Sequence, residues 1–351
     1  MHFDLKKHTI LLTAGGSVAY GMALPSSDLD VKGIAVAPES TTLGFSQNFE
    51  QVDGEKHLDV FLPEVRKGQD RHLEAMKNGF EGVVYDLRKF MTLASKGNPN
   101  ILEVLFCDDD DVLHCTSEGK KLRENRNLFL SQVVRHSYTG YAVAQLKRIK
   151  GHKNWLLNPK EDKPSRKEFG LGDNPSIPRH RRSEIEAAIA KNVDRLFTRD
   201  QAIKLVAEYP AFKNDFEEPG FIGFLNAEHA FGRAMEEWTR YQTWKSERNE
   251  KRAVLEVQFG YDTKHAAHLV RLLRTGEELL RDGVLLVRRP DAKELLAIRA
   301  GEWPYEKLVE WAEEKVKMMD EWKEKSALPH SPDMNKLNEL CIEVHKDFYS
   351  K

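Results

Sequence analysis

The sequence lacks the features that mark membrane, secreted and nucleic-acid-coating proteins. No apolar run approaches the ~20 residues that a membrane-spanning helix needs, and no hydrophobic segment of signal-peptide length follows residues 1–7. Three cysteines cannot form a paired disulfide framework. The net charge of −2 excludes binding to nucleic acid through bulk charge alone. These absences predict a globular protein of a reducing cytoplasm without a membrane partner.

Zinc-binding patterns are also missing. Cys107, His114 and Cys115 lack the paired C-x-x-C spacing of a structural zinc site. The acidic run 108–111 lacks the glycine and glutamate spacing of a calcium loop and is typical of a solvated turn. The sequence therefore predicts no zinc.

What the sequence does contain is a glycine-serine turn after a short apolar strand. Residues 9–13 (TILLT) are apolar and β-branched, which predicts a buried strand that two glycines end. Gly16 and Gly21 allow close approach of the backbone to a ligand, and Ser17 adds a hydroxyl beside free amides at the start of a short helix. This arrangement predicts a phosphate-binding turn.

Two carboxylates follow the turn at the spacing of one strand face. In the predicted strand 28–37, Asp28 and Asp30 point to one side while Leu29 and Val31 point to the other. Carboxylates so close repel each other unless a cation lies between them, so the pair predicts Mg²⁺ or two such ions.

A site of this kind needs a third carboxylate from a neighbouring strand. Asp86 is the preferred candidate, because residues 82–90 have strand character and place it on one face with residues 84 and 88. Asp59 is a rival in another alternating segment. Glu81, at the edge of the same strand as Asp86, is a weaker rival.

The Gly-Ser turn followed by Asp-x-Asp resembles the active-site signature of the DNA polymerase beta superfamily of nucleotidyltransferases. Four further segments resemble the RNA repair pathway DNA polymerase beta family within it: 85–90 (YDLRKF), 96–103 (KGNPNILE), 261–268 (YDTKHAAH) and 271–273 (RLL). The resemblance covers nearly the whole chain.

The resemblance implies an α+β fold, with a mixed-sheet nucleotidyltransferase domain at 1–107 and a mainly helical domain at 117–351. It implies transfer of a nucleoside monophosphate from an NTP to an acceptor hydroxyl, with pyrophosphate release and Mg²⁺ or Mn²⁺ as cofactor. Gly16 and Ser17 would hold the phosphates, and Asp28, Asp30 and Asp86 the metal. An RNA end, tRNA first, is the expected acceptor, and an RNA ligase is a possible partner. Transfer to a protein or a small molecule, or nucleotide binding without catalysis, are the alternatives.

The helical half contains two basic features. On a helix beginning at Thr263, Lys264, His268 and Arg271 fall on one face, and together with the resemblance this predicts contacts with the triphosphate or substrate phosphates. His268 is alternatively a core histidine, and His265 is expected to have no chemical role. The stretch 147–182 has eleven Lys or Arg against four Asp or Glu. With Trp155 and Phe169 among its cations it is a candidate RNA-binding segment. The alternative is a solvated loop whose aromatic side chains anchor it to the surface. The candidate RNA contacts are Lys147, Arg148, Lys150, Lys153, Arg179, Arg181 and Arg182.

Overall fold

The computed structural model describes residues 3–171, 221–248 and 250–351. Its sheet contains β1 (Thr9–Ala14), β2 (Leu29–Ala35), β3 (Gln51–Asp53), β4 (Phe80–Asp86) and β5 (Val112–Cys115). The strand order is β3-β4-β2-β1-β5. Strands β2 and β4 are parallel, and the other neighbouring pairs are antiparallel. This mixed sheet, accompanied by many helices, confirms the predicted α+β class.

Short helices connect and cover the strands. They are α1 (Leu5–His8), α2 (Gly16–Ala19), α3 (Glu39–Leu43), α4 (Glu55–Leu58), α5 (Leu62–Val65), α6 (Asp70–Met76), α7 (Leu87–Ser95), α8 (Pro99–Phe106) and α9 (Ser117–Glu124). The first turn of helix α8 is capped: the Asn98 side chain accepts a hydrogen bond from the Asn100 amide at 3.0 Å, and Pro99 occupies a position that needs no amide donor.

The remaining helices of the described residues are mostly longer. They are α10 (Val134–Leu157), α11 (Phe221–Glu247), α12 (Glu250–Phe259), α13 (Thr263–Asp282), α14 (Ala292–Arg299), α15 (Tyr305–Lys325) and α16 (Met334–Tyr349). Helix α15 carries an apolar stripe at helical spacing, and Leu308, Ala312 and Met319 on that stripe are buried. Among the described residues, no helix has both the length and the apolar character needed to cross a membrane.

Alternation along β2 separates two apolar layers. Leu29, Val31 and Ala35 belong to a cluster on one side of the sheet. Ile34 lies in the larger cluster on the other side, which includes residues of α7, α8, α10, α13, α15 and α16. Asp30 is four residues before Ile34 and therefore faces the same side. The predicted carboxylate pair thus points toward the helices of the larger cluster.

The division of the chain differs from the predicted domains 1–107 and 117–351. Strand β5 pairs with β1, so the sheet continues past residue 107. One compact unit comprises residues 1–153 together with 254–351, and the other comprises residues 154–253. The physical reason is the shared core: helices α13 to α16 bury apolar side chains in the same cluster as β1 and α8.

Candidate active site

The glycine-serine turn is fixed against the aspartate strand by backbone contact. The Gly15 amide donates a hydrogen bond to the Asp30 carbonyl at 2.9 Å. Gly16 has φ +57°, and a Cβ atom at this position would lie 1.9 Å from Asp30 Oδ2. Only glycine satisfies both the backbone conformation and the close approach. The two halves of the motif therefore form one structural unit.

A cavity of about 270 Å³ opens beside this unit. It brings together seven of the residues singled out from the sequence: Gly16, Ser17, Asp28, Asp30, Lys264, His268 and Arg271. Further lining residues are Tyr20, Met22, Ser26, Ser27, Ala267 and Arg299. The first turns of α13 thus face the Gly-Ser turn, although more than 200 residues separate them in the sequence.

Gly21 lies outside the lining of this cavity. Its φ of +72° ends the turn after α2, and a Cβ there would contact Arg288 and Ala292 at 3.7 to 3.8 Å. Gly21 therefore shapes the turn, whereas the sequence analysis expected it to contact the nucleotide.

The register of β2 and β4 corrects the preference for Asp86 as the third carboxylate. Asp30 is paired with Glu81, whereas Asp86 is paired with Ala35. Five residues separate Glu81 from Asp86, which is about 16 Å along a strand. Glu81 is therefore the carboxylate beside the aspartate pair, and Asp86 lies at the far end of the strand.

Asp86 has a structural role that explains its position. It is 2% exposed, and its Oδ2 accepts a hydrogen bond from the Arg88 amide at 2.9 Å at the start of α7. It is thus a helix N-cap. The other rival, Asp59, is exposed in a short 3₁₀ helix at Asp59–Phe61.

The electrostatics of the carboxylate group fit a divalent cation. Partial burial raises the pKa of Asp30, and the nearby carboxylates of Asp28 and Glu81 raise it further. Lys32 and Lys264 act in the opposite direction but do not cancel this effect. A cation would relieve the repulsion among the three carboxylates, and carboxylate oxygens are the donors that Mg²⁺ and Mn²⁺ prefer. The residues present thus fit the implied metal.

A buried ionic network forms the wall behind the carboxylates. Arg271, which is 2% exposed, donates from Nη1 to Glu103 Oε1 at 2.5 Å. The Tyr20 hydroxyl donates to Glu103 Oε2 at 2.7 Å, and the Arg271 guanidinium lies 3.7 Å from the centre of the Tyr20 ring. Burial favours a raised pKa for Glu103, but Arg271 and Lys32 hold it below its usual value. Glu103 is therefore ionised.

Sequence reasoning missed this network. Glu103 ends one of the segments that resemble the family, but no pattern in the sequence pairs it with Arg271, 168 residues away. Arg271 lines the cavity as expected, yet its guanidinium is bonded to a buried carboxylate. Its first role is therefore to hold α13 against Glu103 on α8.

His268 is not a cation at neutral pH. Burial lowers its pKa to about 3, and the neighbouring Arg271 contributes. Its Nδ1 lies 3.3 Å from Arg271 Nη2, so the neutral ring can accept a hydrogen bond there. Of the three cations predicted on this face of α13, the charged ones are Lys264 and Arg271.

The comparisons with known proteins agree with this geometry over the first part of the chain. Residues 3–162 match the family model described as RNA repair pathway DNA polymerase beta family. The match covers 160 of the 351 residues, so this part of the chain is similar to that family. No curated protein and no solved structure matches the chain.

The family match confirms the resemblance read from the sequence, over a shorter range than expected. It includes the Gly-Ser turn, both aspartates and Glu81, but it ends before segments 261–268 and 271–273. The name of the matched family implies a polymerase-beta-like nucleotidyltransferase of an RNA repair pathway for residues 3–162. Its Gly-Ser and Asp-x-Asp residues, here gathered at one cavity, are the expected catalytic elements.

The candidate RNA-binding stretch is only partly described. Lys147 and Arg148 are exposed on α10. Lys150 and Lys153 on the same helix form ion pairs with Glu313 at 2.7 Å and Glu306 at 3.4 Å, which reduces their local positive charge. Arg179, Arg181 and Arg182 lie outside the described residues. RNA binding by this stretch stays a prediction.

Proposed function

We propose that this protein is a metal-dependent nucleotidyltransferase that moves a nucleoside monophosphate from an NTP to a hydroxyl at an RNA end, tRNA being the first candidate acceptor. The observation that carries the proposal is the cavity where Gly16 and Ser17 meet Asp28 and Asp30, with Lys264 in the same lining. The match of residues 3–162 to an RNA repair family model supports the acceptor class.

Binding of the NTP would use the Gly-Ser turn and α13. The missing side chain at Gly16 leaves the backbone accessible, and the Ser17 hydroxyl can donate to a phosphate oxygen. Lys264 contributes positive charge to the same cavity. Its ammonium offsets part of the negative charge of a triphosphate and orients it across the cavity.

Three carboxylates would hold the cation: Asp28 and Asp30 from the start of β2, and Glu81 from β4. A bound Mg²⁺ or Mn²⁺ supplies charge neutralisation at the phosphate oxygens and activation of the acceptor hydroxyl. In the transfer, the acceptor oxygen forms a bond to the α-phosphorus while the bond to the bridging oxygen breaks and pyrophosphate leaves. The residues of the chain position the reactants, and no side-chain nucleophile is required.

Label transfer from each of the four α-labelled NTPs tests the proposal. The purified chain is incubated with Mg²⁺ or Mn²⁺, with and without total tRNA, and pyrophosphate is measured in parallel. We expect RNA-dependent label on the RNA and an equal amount of pyrophosphate. Label on protein or small molecules alone would contradict the RNA acceptor. NTP binding without pyrophosphate release in every reaction would contradict catalysis.

The third carboxylate is tested by a matched pair of substitutions on β4. Glu81→Gln removes a proposed cation ligand and is expected to lower kcat by about 10- to 100-fold or more. Substituting a residue that only hydrogen-bonds to a metal ligand already costs about that much. Asp86→Asn retains a side chain that caps α7, so kcat should stay near the wild-type value. Single-turnover label transfer at saturating NTP measures both. The reverse pattern would restore Asp86 as the third carboxylate.

A further inference from the structure

A second group of potential metal ligands lies apart from the residues that line the cavity. His152 on α10, Glu256 on α12 and Asp262 at the start of α13 each offer one donor atom, and these atoms lie within 4.8 Å of one another. Glu256 and Asp262 are 2% and 3% exposed. We refer to these three residues as the His152 cluster. We propose that the His152 cluster binds a divalent transition-metal cation, with Zn²⁺ as the best fit.

Charge and burial argue for a cation at this point. Two carboxylates placed a few ångströms apart and removed from water repel each other, and each loses hydration. A divalent cation between them offsets both costs.

The ligand types select among cations. Zinc sites combine imidazole nitrogen with carboxylate oxygen, whereas Mg²⁺, Ca²⁺ and Mn²⁺ prefer oxygen donors. His152 Nδ1 lies 3.6 Å from Glu256 Oε1. This distance exceeds a hydrogen bond and is close to the ~3.4 Å that separates two ligand atoms at bonds of ~2.1 Å in a tetrahedral zinc site.

His265 positions one of the ligands. Its Nδ1 lies 2.7 Å from Asp262 Oδ2, and its backbone amide donates to Asp262 Oδ1 at 2.9 Å. A histidine next to a ligating carboxylate is a common second partner of metal sites, because it fixes the orientation of the carboxylate. The sequence analysis expected no role for His265; here it is a positioning residue for Asp262.

The placement of the His152 cluster gives it a structural purpose. A cation bound by the cluster would join α10 and α12 to Asp262, the residue that immediately precedes α13. Lys264 lies two positions after Asp262. A cation there would fix the start of the helix that carries Lys264 and His268 into the cavity. The inference does not depend on the reaction proposed for that cavity.

The test measures bound metal directly. The full chain carrying Asp28→Asn and Asp30→Asn, which removes the proposed cation ligands of the cavity, is equilibrated with Zn²⁺, separated by gel filtration and analysed by mass spectrometry for zinc. Co²⁺ absorption provides a spectroscopic readout in the same protein. We expect one Zn²⁺ per chain. Adding His152→Ala or Glu256→Gln should lower the affinity at least about tenfold.

His136→Ala is the matched control, because His136 is an exposed histidine on the same helix as His152; it should leave zinc binding unchanged. Zinc should also raise the melting temperature of the parent but not of the Glu256→Gln variant, whose side chain keeps its volume. Absence of retained zinc in the parent would overturn the proposal, as would equal zinc in His152→Ala and Glu256→Gln. A loss of nucleotidyl transfer affects none of these readouts.

Discussion

Changing Asp28 and Asp30 together to asparagine is expected to abolish nucleotidyl transfer, with kcat reduced on the order of 10³-fold or more, as when a central electrostatic group of an active site is removed. The reason is that Asn keeps the size of the side chain but loses the negative charge that the cation requires. Label transfer in the reaction described above measures the effect.

The same variant should be more stable than the wild type when no metal is present. The pKa of Asp30 is raised in the folded chain, so the folded state binds this proton more tightly than the unfolded state does. Ionised Asp30 therefore costs stability above its raised pKa, and the cost disappears as the pH falls through that value. We expect a higher melting temperature for the variant at neutral pH in chelator, with a difference that narrows on acidification.

Measuring activity and stability on the same variant separates a catalytic role of the aspartates from a structural one. If the variant still transferred label at the wild-type rate, the two aspartates would have no catalytic role. A variant without activity that also melted at a lower temperature would indicate that the aspartates support the fold, and the loss of activity would then have a structural origin.

Replacing Arg271 by methionine is expected to lower the free energy of unfolding by about 3–5 kcal/mol, the usual cost of removing one member of a buried ion pair. The cost arises because Glu103, which is 5% exposed, would be left charged and without its main partner. The double variant Arg271→Met, Glu103→Gln should recover much of the loss, since it removes both charges. Urea unfolding of the single and double variants measures the coupling.

Arg281→Met is a matched control on the same helix. Arg281 pairs with Asp282, but both side chains are 44% exposed, so we expect a change of at most about 1 kcal/mol. A different result for Arg271→Met would also be informative. If that variant unfolded like the wild type but raised KM for NTP, Arg271 would be a phosphate ligand, as its spacing on α13 suggested.

Local patterns in the sequence determined much of this protein. The apolar run before the two glycines predicted β1, and alternation predicted the faces of β2. These features depend on neighbouring residues and on the period of a single element, so they can be read without knowing the fold. The same local logic singled out Gly16, Ser17, Asp28 and Asp30, which the structure gathers at one cavity.

Other features depended on contacts between distant parts of the chain. Residues 81 and 86 share one strand, and only its parallel register with β2 shows that Glu81, and not Asp86, lies beside Asp30. A register of this kind is set by the packing of a whole sheet, and a shift of a few residues leaves the alternation within the strand unchanged.

Charge states were also decided by tertiary structure. Spacing on α13 made His268 a potential cation or, alternatively, a core histidine, and burial lowers its pKa to about 3. Spacing likewise gave no sign that Glu103 would bind Arg271, or that His152 and Glu256 would meet Asp262. The pattern of residues along the chain thus determined which groups could serve at a site. Their burial and partners, which fix charge and availability, were determined only when distant helices packed together.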